Sequence, residues 1–466
     1  MDLALLIDFG STYTKVTAVD INNETVLAAA RAFSTVETNI MEGFFKALHE
    51  LEVSAGLKNP PYRYKIACSS AAGGLKMAAI GLVPDLTVEA AKRAALGAGA
   101  RVIGIYSHEL TGAEVGKIEE QNPDIILLAG GTDGGNRDVI LHNARQIAAS
   151  TLQAPVVAAG NKAAAEDIRD ILTNAGKDVR ITENVMPEFN VLNIDPARAT
   201  IRQVFLEKIV AAKGLKRVEE FIDRVLMPTP AAVLAASELL SQGFEEEAGL
   251  GDLVVVDIGG ATTDVHSIAS GEPSKAGVSL KGLPEPFAKR TVEGDLGMRY
   301  SAQALVESAG LSRIARNCQV TREEIIDHLR RIAAEPGLIS VNSDAQRVDN
   351  ALAYTAVDLA VERHVGTIET VYTPFGASLV QTGKDLTLSE VLVGTGGMIV
   401  YHKNPKAIMR GALFDPSRPI VLKPITPKML VDREYIMAAM GLLAEVRPLA
   451  ALRIMKKYLI KVQEGC

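Results

Sequence analysis

Tryptophan is missing from this chain, and aromatic residues make up only 5% of it, which leaves little to stack the bases of a single-stranded nucleic acid. Cysteine is almost as scarce. Cys68, Cys318 and Cys466 lie far apart, so they form neither a metal-ligand spacing nor a disulfide framework, and they offer no closely placed pair for an iron–sulfur cluster. That usage suits a reducing, cytoplasmic setting. No basic block is present and the net charge is −7, which argues against a nucleic-acid partner. No apolar run approaches the ~20 residues needed to span a bilayer, which argues against a membrane partner. Met1-Asp2-Leu3-Ala4 lacks a basic start and the apolar run that follows stops at Asp8, so it reads as a first strand rather than a secretion signal.

What is present is ordinary in amount but not in arrangement. With 466 residues, 48% hydrophobic and 23% charged, the chain is long enough for two or three domains with sizeable cores. Two related phrases stand far apart in it: Leu6-Ile7-Asp8-Phe9-Gly10-Ser11-Thr12-Tyr13-Thr14-Lys15 and Val254-Val255-Val256-Asp257-Ile258-Gly259-Gly260-Ala261-Thr262-Thr263-Asp264. Each reads as a buried strand, a carboxylate at its end, a tight glycine turn, and small hydroxyl residues on the return. Such a hairpin can wrap phosphate groups with backbone N–H and hydroxyl donors while the Asp handles a hydrated cation. A lone Asp-x-Gly turn serves turn geometry equally well, but a second copy and a third turn, Gly394-Thr395-Gly396-Gly397, are hard to explain by packing alone. At that third turn the glycines allow close backbone approach to a flat ligand such as adenine and ribose.

Along the chain, strands and helices alternate. Strand 3–8, its return strand, and a helix from Met41 to Leu51 are followed by Tyr64–Cys68, a small-residue turn at Ser69–Gly74 and an alanine-rich helix from Thr87 to Gly97. From about 100 to 205 a βαβ rhythm predicts a parallel sheet covered by helices, an α/β subdomain inserted in the first lobe. This divides the chain into a first lobe over 1–240 and a second over 250–466. Within the insert, Gly130–Asn136 follows a strand and precedes a helix; a structural or partner-contact turn is one reading and an anion or cobalamin contact the other. It lacks the Lys-Ser/Thr of a P-loop, and no Asp-x-His-x-x-Gly cobalamin signature accompanies it. Pro228–Leu239 reads as a helix with proline in its first turn.

These motifs resemble the actin-like ATPase superfamily of actin, sugar kinases and heat-shock chaperones. Leu6–Lys15 looks like its first phosphate motif, Val254–Asp264 its second, Val391–Met398 its adenosine motif and Pro228–Leu239 its first connecting helix. The resemblance implies an α/β, two-lobed fold built from duplicated ribonuclease H-like domains, with ATP and Mg2+ as cofactors. It places Asp8 and Asp257 on the magnesium, and Gly10, Ser11, Thr12, Lys15, Gly259, Gly260, Thr262 and Thr263 around the phosphates. Gly394, Thr395, Gly396 and Gly397 fall to the adenosine, and Asp264 to a water or the metal, although a turn-capping role suits Asp264 as well. Over nearly the whole chain the sequence is similar to the glutamate mutase accessory protein L (MutL) family. That implies an ATP-driven reactivating chaperone for an adenosylcobalamin-dependent mutase, glutamate mutase or an aminomutase.

One position departs from the chaperones. Where they carry a carboxylate before the Pro-Thr of the connecting helix, this chain has Met227, and loss of a well-placed polar group costs orders of magnitude in rate. Slow hydrolysis is expected, with Glu293 and Asp295 as candidates to place the water. Two other functions of the same fold compete: a small-molecule kinase, which needs an acceptor pocket beside the γ-phosphate, and an ATP-dependent hydrolase.

Overall fold

The computed structural model of the chain describes residues 2–10, 12–35, 40–58, 60–69, 75–98, 100–212, 221–318, 321–335, 343–374 and 376–462. The expected turn at Ser69–Gly74 lies outside the described residues from Ser70 onward, as does Ser11.

The apolar runs become the centres of sheets. Leu3–Phe9 is buried along its whole length, as an uninterrupted apolar strand with covering layers on both faces should be. It pairs antiparallel with Tyr13–Asp20, which pairs antiparallel with Thr25–Phe33. On its other edge Tyr62–Ser69 and then Arg224–Pro228 add in parallel. The second lobe repeats this order: Leu253–Ile258, Thr263–Ile268 and Ala288–Glu293 form the meander, and Val391–Thr395 and Lys428–Asp432 add in parallel. Leu459–Lys461 then closes the edge. Two sheets of the same strand order, each beginning with an Asp-ended hairpin, make this the two-lobed, duplicated ribonuclease H-like fold of the actin-like class.

Two helices join the lobes. Thr229–Gln242 and Met437–Ala444 cross between the sheets, and their apolar residues share one core with Leu6 and Ile66 of the first sheet and Val255 and Val393 of the second. The crossing is close enough to require glycine: a Cβ on Gly441 would lie 1.9 Å from the Ala232 carbonyl oxygen.

A third sheet sits within the first half of the chain. Its strands are all parallel, in the spatial order Ala100–Ser107, Leu75–Gly81, Ile125–Leu128, Val156–Ala158, Val179–Ile181. The second strand in that row comes first in sequence, upstream of residue 100. Gly112–Gln121, Asp138–Ala149 and Ala165–Asn174 pack on one face, while Glu89–Gly97 and Asp195–Ala212 pack on the other. Helix starts carry local signals: Thr111 with Glu114, and Thr321 with Glu324, form reciprocal capping boxes. A small sheet of Val278–Lys281, Gly376–Thr382 and Thr367–Thr373 projects from the second lobe, an element the sequence pattern did not suggest.

Candidate functional site

Strand register assembles the site. Asp8 is the last residue but one of the first strand and stands directly across from Lys15. Both side chains therefore leave the same face, and the Lys15 ammonium donates to Asp8 Oδ2 at 3.0 Å. The second hairpin has the same geometry, with Asp257 across from Asp264. The duplicated turns thus pair a carboxylate with a cation in one lobe and with another carboxylate in the other.

Distant residues complete the first carboxylate's surroundings. The Thr229 hydroxyl, at the start of the first connecting helix, donates to Asp8 Oδ1 at 2.6 Å. The Cys68 thiol, from the neighbouring parallel strand, reaches the same oxygen at 3.6 Å. Tyr435 arrives from the second lobe with its ring centroid 3.9 Å from Lys15 Nζ and its backbone in the left-handed region at φ 55°. A bulky residue held there is uncommon, and such strain gathers at functional positions. Asp8, Lys15, Thr229, Asp257, Thr395 and Tyr435 all line one cleft between the lobes.

The charges are out of balance in that cleft. Burial, with Asp264 next and Asp8 and Asp432 adding to it, pushes the Asp257 carboxyl up to about 7 against the pull of Lys15. Burial also works against the Lys15 charge, but Tyr435, Asp8 and Asp257 outweigh it and hold the ammonium above the usual lysine range. Two carboxylates from different lobes, one of them disfavoured as an anion, suit a divalent cation that keeps most of its waters and shares phosphate ligands. Among the described residues no three His, Cys, Asp or Glu side chains group to hold an ion by themselves, so a metal here would need such outside ligands.

Other expected site residues are engaged by the chain itself. The Thr263 hydroxyl is buried and donates to the Leu296 carbonyl at 2.6 Å. Thr395 donates to Asp432 at 3.0 Å, and Asp432 in turn accepts from the Ile436 and Met437 amides at the start of a connecting helix. Thr262 donates to Asp264 Oδ2 at 3.0 Å, while Arg290 holds Asp264 Oδ1. Gly259 and Gly260 form the second turn: the Gly259 amide donates to Thr262, and the Gly260 carbonyl accepts from Arg299 and Tyr300. In the first turn Gly10 leaves room for the Tyr13 carbonyl, and the Thr12 carbonyl accepts from Ser34.

At the third turn Gly394 packs against Ile399 and Met409, and Gly396, at φ 87°, leaves room for the Ile258 backbone. A Cβ on Gly397 would meet nothing within 4 Å, so of the three it is the one open to a ligand. Glu293 and Asp295 are both bound to Arg363, at 2.7 and 2.8 Å. Met227 is buried in its strand beside Cys68.

Comparison with known proteins follows the same lines. Residues 4–459 match the family model described as MutL protein. The chain belongs to the MutL protein family. One relative, "Protein MutL" of Clostridium tetanomorphum, is 54% identical over 462 residues, covering 99% of this chain and 100% of that protein. Solved structures overlap far more loosely. Gluconate kinase from Lactobacillus acidophilus shares 10% identity at a TM-score of 0.35, covering 99% of this chain and 93% of its own. Ethanolamine utilization protein EutJ from Carboxydothermus hydrogenoformans shares 12% identity at 0.32, covering 97% and 90%. Scores this low carry nothing about chemistry.

In this MutL-family chain the Gly130–Asn136 turn is closed on itself. Asn161 accepts from the Gly134 amide and donates to the Gly135 carbonyl, and Asn184 donates to the Gly131 carbonyl and to Asp133. Both asparagines are almost fully buried. No helix among the described residues is long and apolar enough to cross a membrane.

Sequence reasoning missed Thr229, Tyr435, Cys68 and Asp432. Thr229 had a usable signal, since it sits in the Pro-Thr-Pro that opens the connecting helix. The other three had none.

Proposed function

We propose that this chain binds Mg-ATP between its lobes and uses slow hydrolysis to act as a reactivating accessory protein of an adenosylcobalamin-dependent mutase, glutamate mutase or an aminomutase. The observation that carries the nucleotide reading is the pair of Asp-ended hairpins, one from each lobe, on a single cleft with Lys15 between them. The family membership supports the accessory role. The division into a first lobe over 1–240, an insert near 100–205 and a second lobe over 250–466 is part of the same proposal.

In this reading Asp8 and Asp257 hold the hydrated magnesium, whose chemistry is to neutralise phosphate charge. Lys15, Thr12 and Thr262 bind phosphate oxygens together with the turn amides, and Ser11 joins them from outside the described residues. Lys15 must leave Asp8 to do so, which frees that carboxylate for the cation. Thr229 keeps Asp8 oriented through its short hydrogen bond. Of the four positions considered for taking a proton from an attacking water, none is a free carboxylate: Met227 is apolar, Glu293 and Asp295 are held by Arg363, and Asp264 is held by Arg290. The cleft is therefore built to bind and switch more than to turn over.

Two measurements test this. Asp8→Ala and Asp257→Ala should each abolish magnesium-dependent ATP binding by titration calorimetry with the fold retained; normal binding by both would remove the nucleotide site from this cleft. For the accessory role, inactivated mutase is incubated with the protein, ATP and fresh adenosylcobalamin. Recovered turnover is expected, and no recovery with intact mutase would overturn the chaperone reading.

A further inference from the structure

One buried guanidinium touches both the candidate site and the inserted subdomain. Arg290, on the edge strand Ala288–Glu293, is 5% exposed. Its Nε and Nη2 donate to Asp264 Oδ1 at 2.8 and 2.6 Å. Its Nη1 donates to the carbonyls of Leu96 at 3.0 Å and Ala100 at 3.3 Å. Leu96 lies in the last turn of helix Glu89–Gly97, where free carbonyls and the helix dipole favour a cation. Ala100 begins the first edge strand of the insert. The same helix is fastened nearby by Arg93, which bonds Glu285 and the Pro284 carbonyl.

Asp264 stands directly across from Asp257. Any cation drawn to Asp257 therefore alters the field at Asp264 first, and a buried ion pair responds strongly because little water screens it. Arg290 also has somewhere to turn. His266 is its cross-strand neighbour, is 1% exposed, and has no hydrogen-bond partner on either ring nitrogen among the described residues. Burial, followed by opposing effects of Asp264 and Arg290, holds that imidazole neutral, so it keeps an acceptor nitrogen. An unsatisfied buried ring beside a shared guanidinium is what a two-position contact leaves in one of its positions.

We propose that Arg290 is the residue through which nucleotide in the cleft repositions the inserted subdomain, by exchanging its hold on Asp264 for the His266 ring and so loosening its hold on the Leu96 and Ala100 carbonyls. This rests on the Mg-ATP reading above. By reciprocity, a partner protein that displaces the helix end from Arg290 changes nucleotide affinity by the same factor.

The test is hydrogen–deuterium exchange of amides in 94–104, with and without saturating Mg-ATP, on the full chain and on Arg290→Met, with nucleotide binding followed separately by calorimetry. In the unaltered protein Mg-ATP should change exchange in that segment severalfold. In R290M nucleotide still binds, but exchange there no longer depends on it, while Ile125–Leu128 in the same sheet stays as protected as before. Arg290→Lys keeps the buried charge but reaches only one partner at a time, so it should fold normally and recover part of the response at most. A full response in either variant, or none in the unaltered protein despite bound Mg-ATP, would overturn the proposal. Absence of Mg-ATP binding in the unaltered protein would remove the nucleotide reading and this one with it, a result calorimetry identifies independently of exchange.

Discussion

Replacing Asp257 by Asn should stabilise the nucleotide-free protein at alkaline pH while removing its Mg-ATP binding. Asp257 sits across from Asp264 and shares the cleft with Asp8, and its carboxyl is pushed up to about 7 from the 3.8 of an unstrained aspartate. At about 1.4 kcal/mol per pH unit, the full displacement corresponds to roughly 4 kcal/mol of unfavourable ionisation in the folded state. Asp257 is partly open to the cleft, and solvent there screens much of that, so about 1–2 kcal/mol is the expected gain. The sign follows from proton uptake. Because the folded state holds the proton more tightly than the unfolded chain, the penalty is absent below about pH 4, grows between pH 4 and 7, and is constant above. Asn, which never ionises, escapes it. Melting by calorimetry at pH 8 should therefore place D257N roughly 1–2 °C above the unaltered protein. At pH 4 the difference should shrink to a third or less. A variant that melts lower at pH 8, or a gain that does not change with pH, would refute the account of this cleft as a site strained for a cation.

Further outcomes follow from the same geometry. Lys15→Met removes the charge paired with Asp8 and stacked on Tyr435; calorimetry should show ATP affinity falling about 10–100-fold, the range for hydrogen bonds to charged groups. Thr263→Val deletes a buried hydrogen bond to Leu296, so melting should show a loss of about 1 kcal/mol with ATP affinity unchanged; a large affinity loss would place that hydroxyl on the ligand instead. Gly441→Ala puts a methyl against the Ala232 carbonyl at the helix crossing and should cost about 1–3 kcal/mol by thermal melting.

Much of the site was legible because it is local. A strand that ends in Asp, turns on glycine and returns through hydroxyls is written in consecutive residues, and the spacing from Asp8 to Lys15 becomes a facing pair once the hairpin closes. The alternation of strands and helices likewise announced a parallel sheet over about 100–205, which in the structure starts earlier, at Leu75, and runs to Ile181. Its first strand was harder to see, because Leu75–Gly81 follows a turn of small residues.

What tertiary structure alone decided is which distant segments meet. Tyr435 reaches Lys15, Thr229 reaches Asp8, and Arg290 reaches Leu96 and Ala100, all between segments far apart in sequence. No periodicity encodes such contacts, because each is set by how strands and helices far apart in the chain are packed together. The same holds for Thr263 and Thr395, which read as phosphate and adenosine contacts but turn inward to Leu296 and Asp432. The two Asp-ended hairpins were determined by the chain's own order; the company their carboxylates keep was determined by packing, since burial and neighbouring charge act through space rather than along the chain.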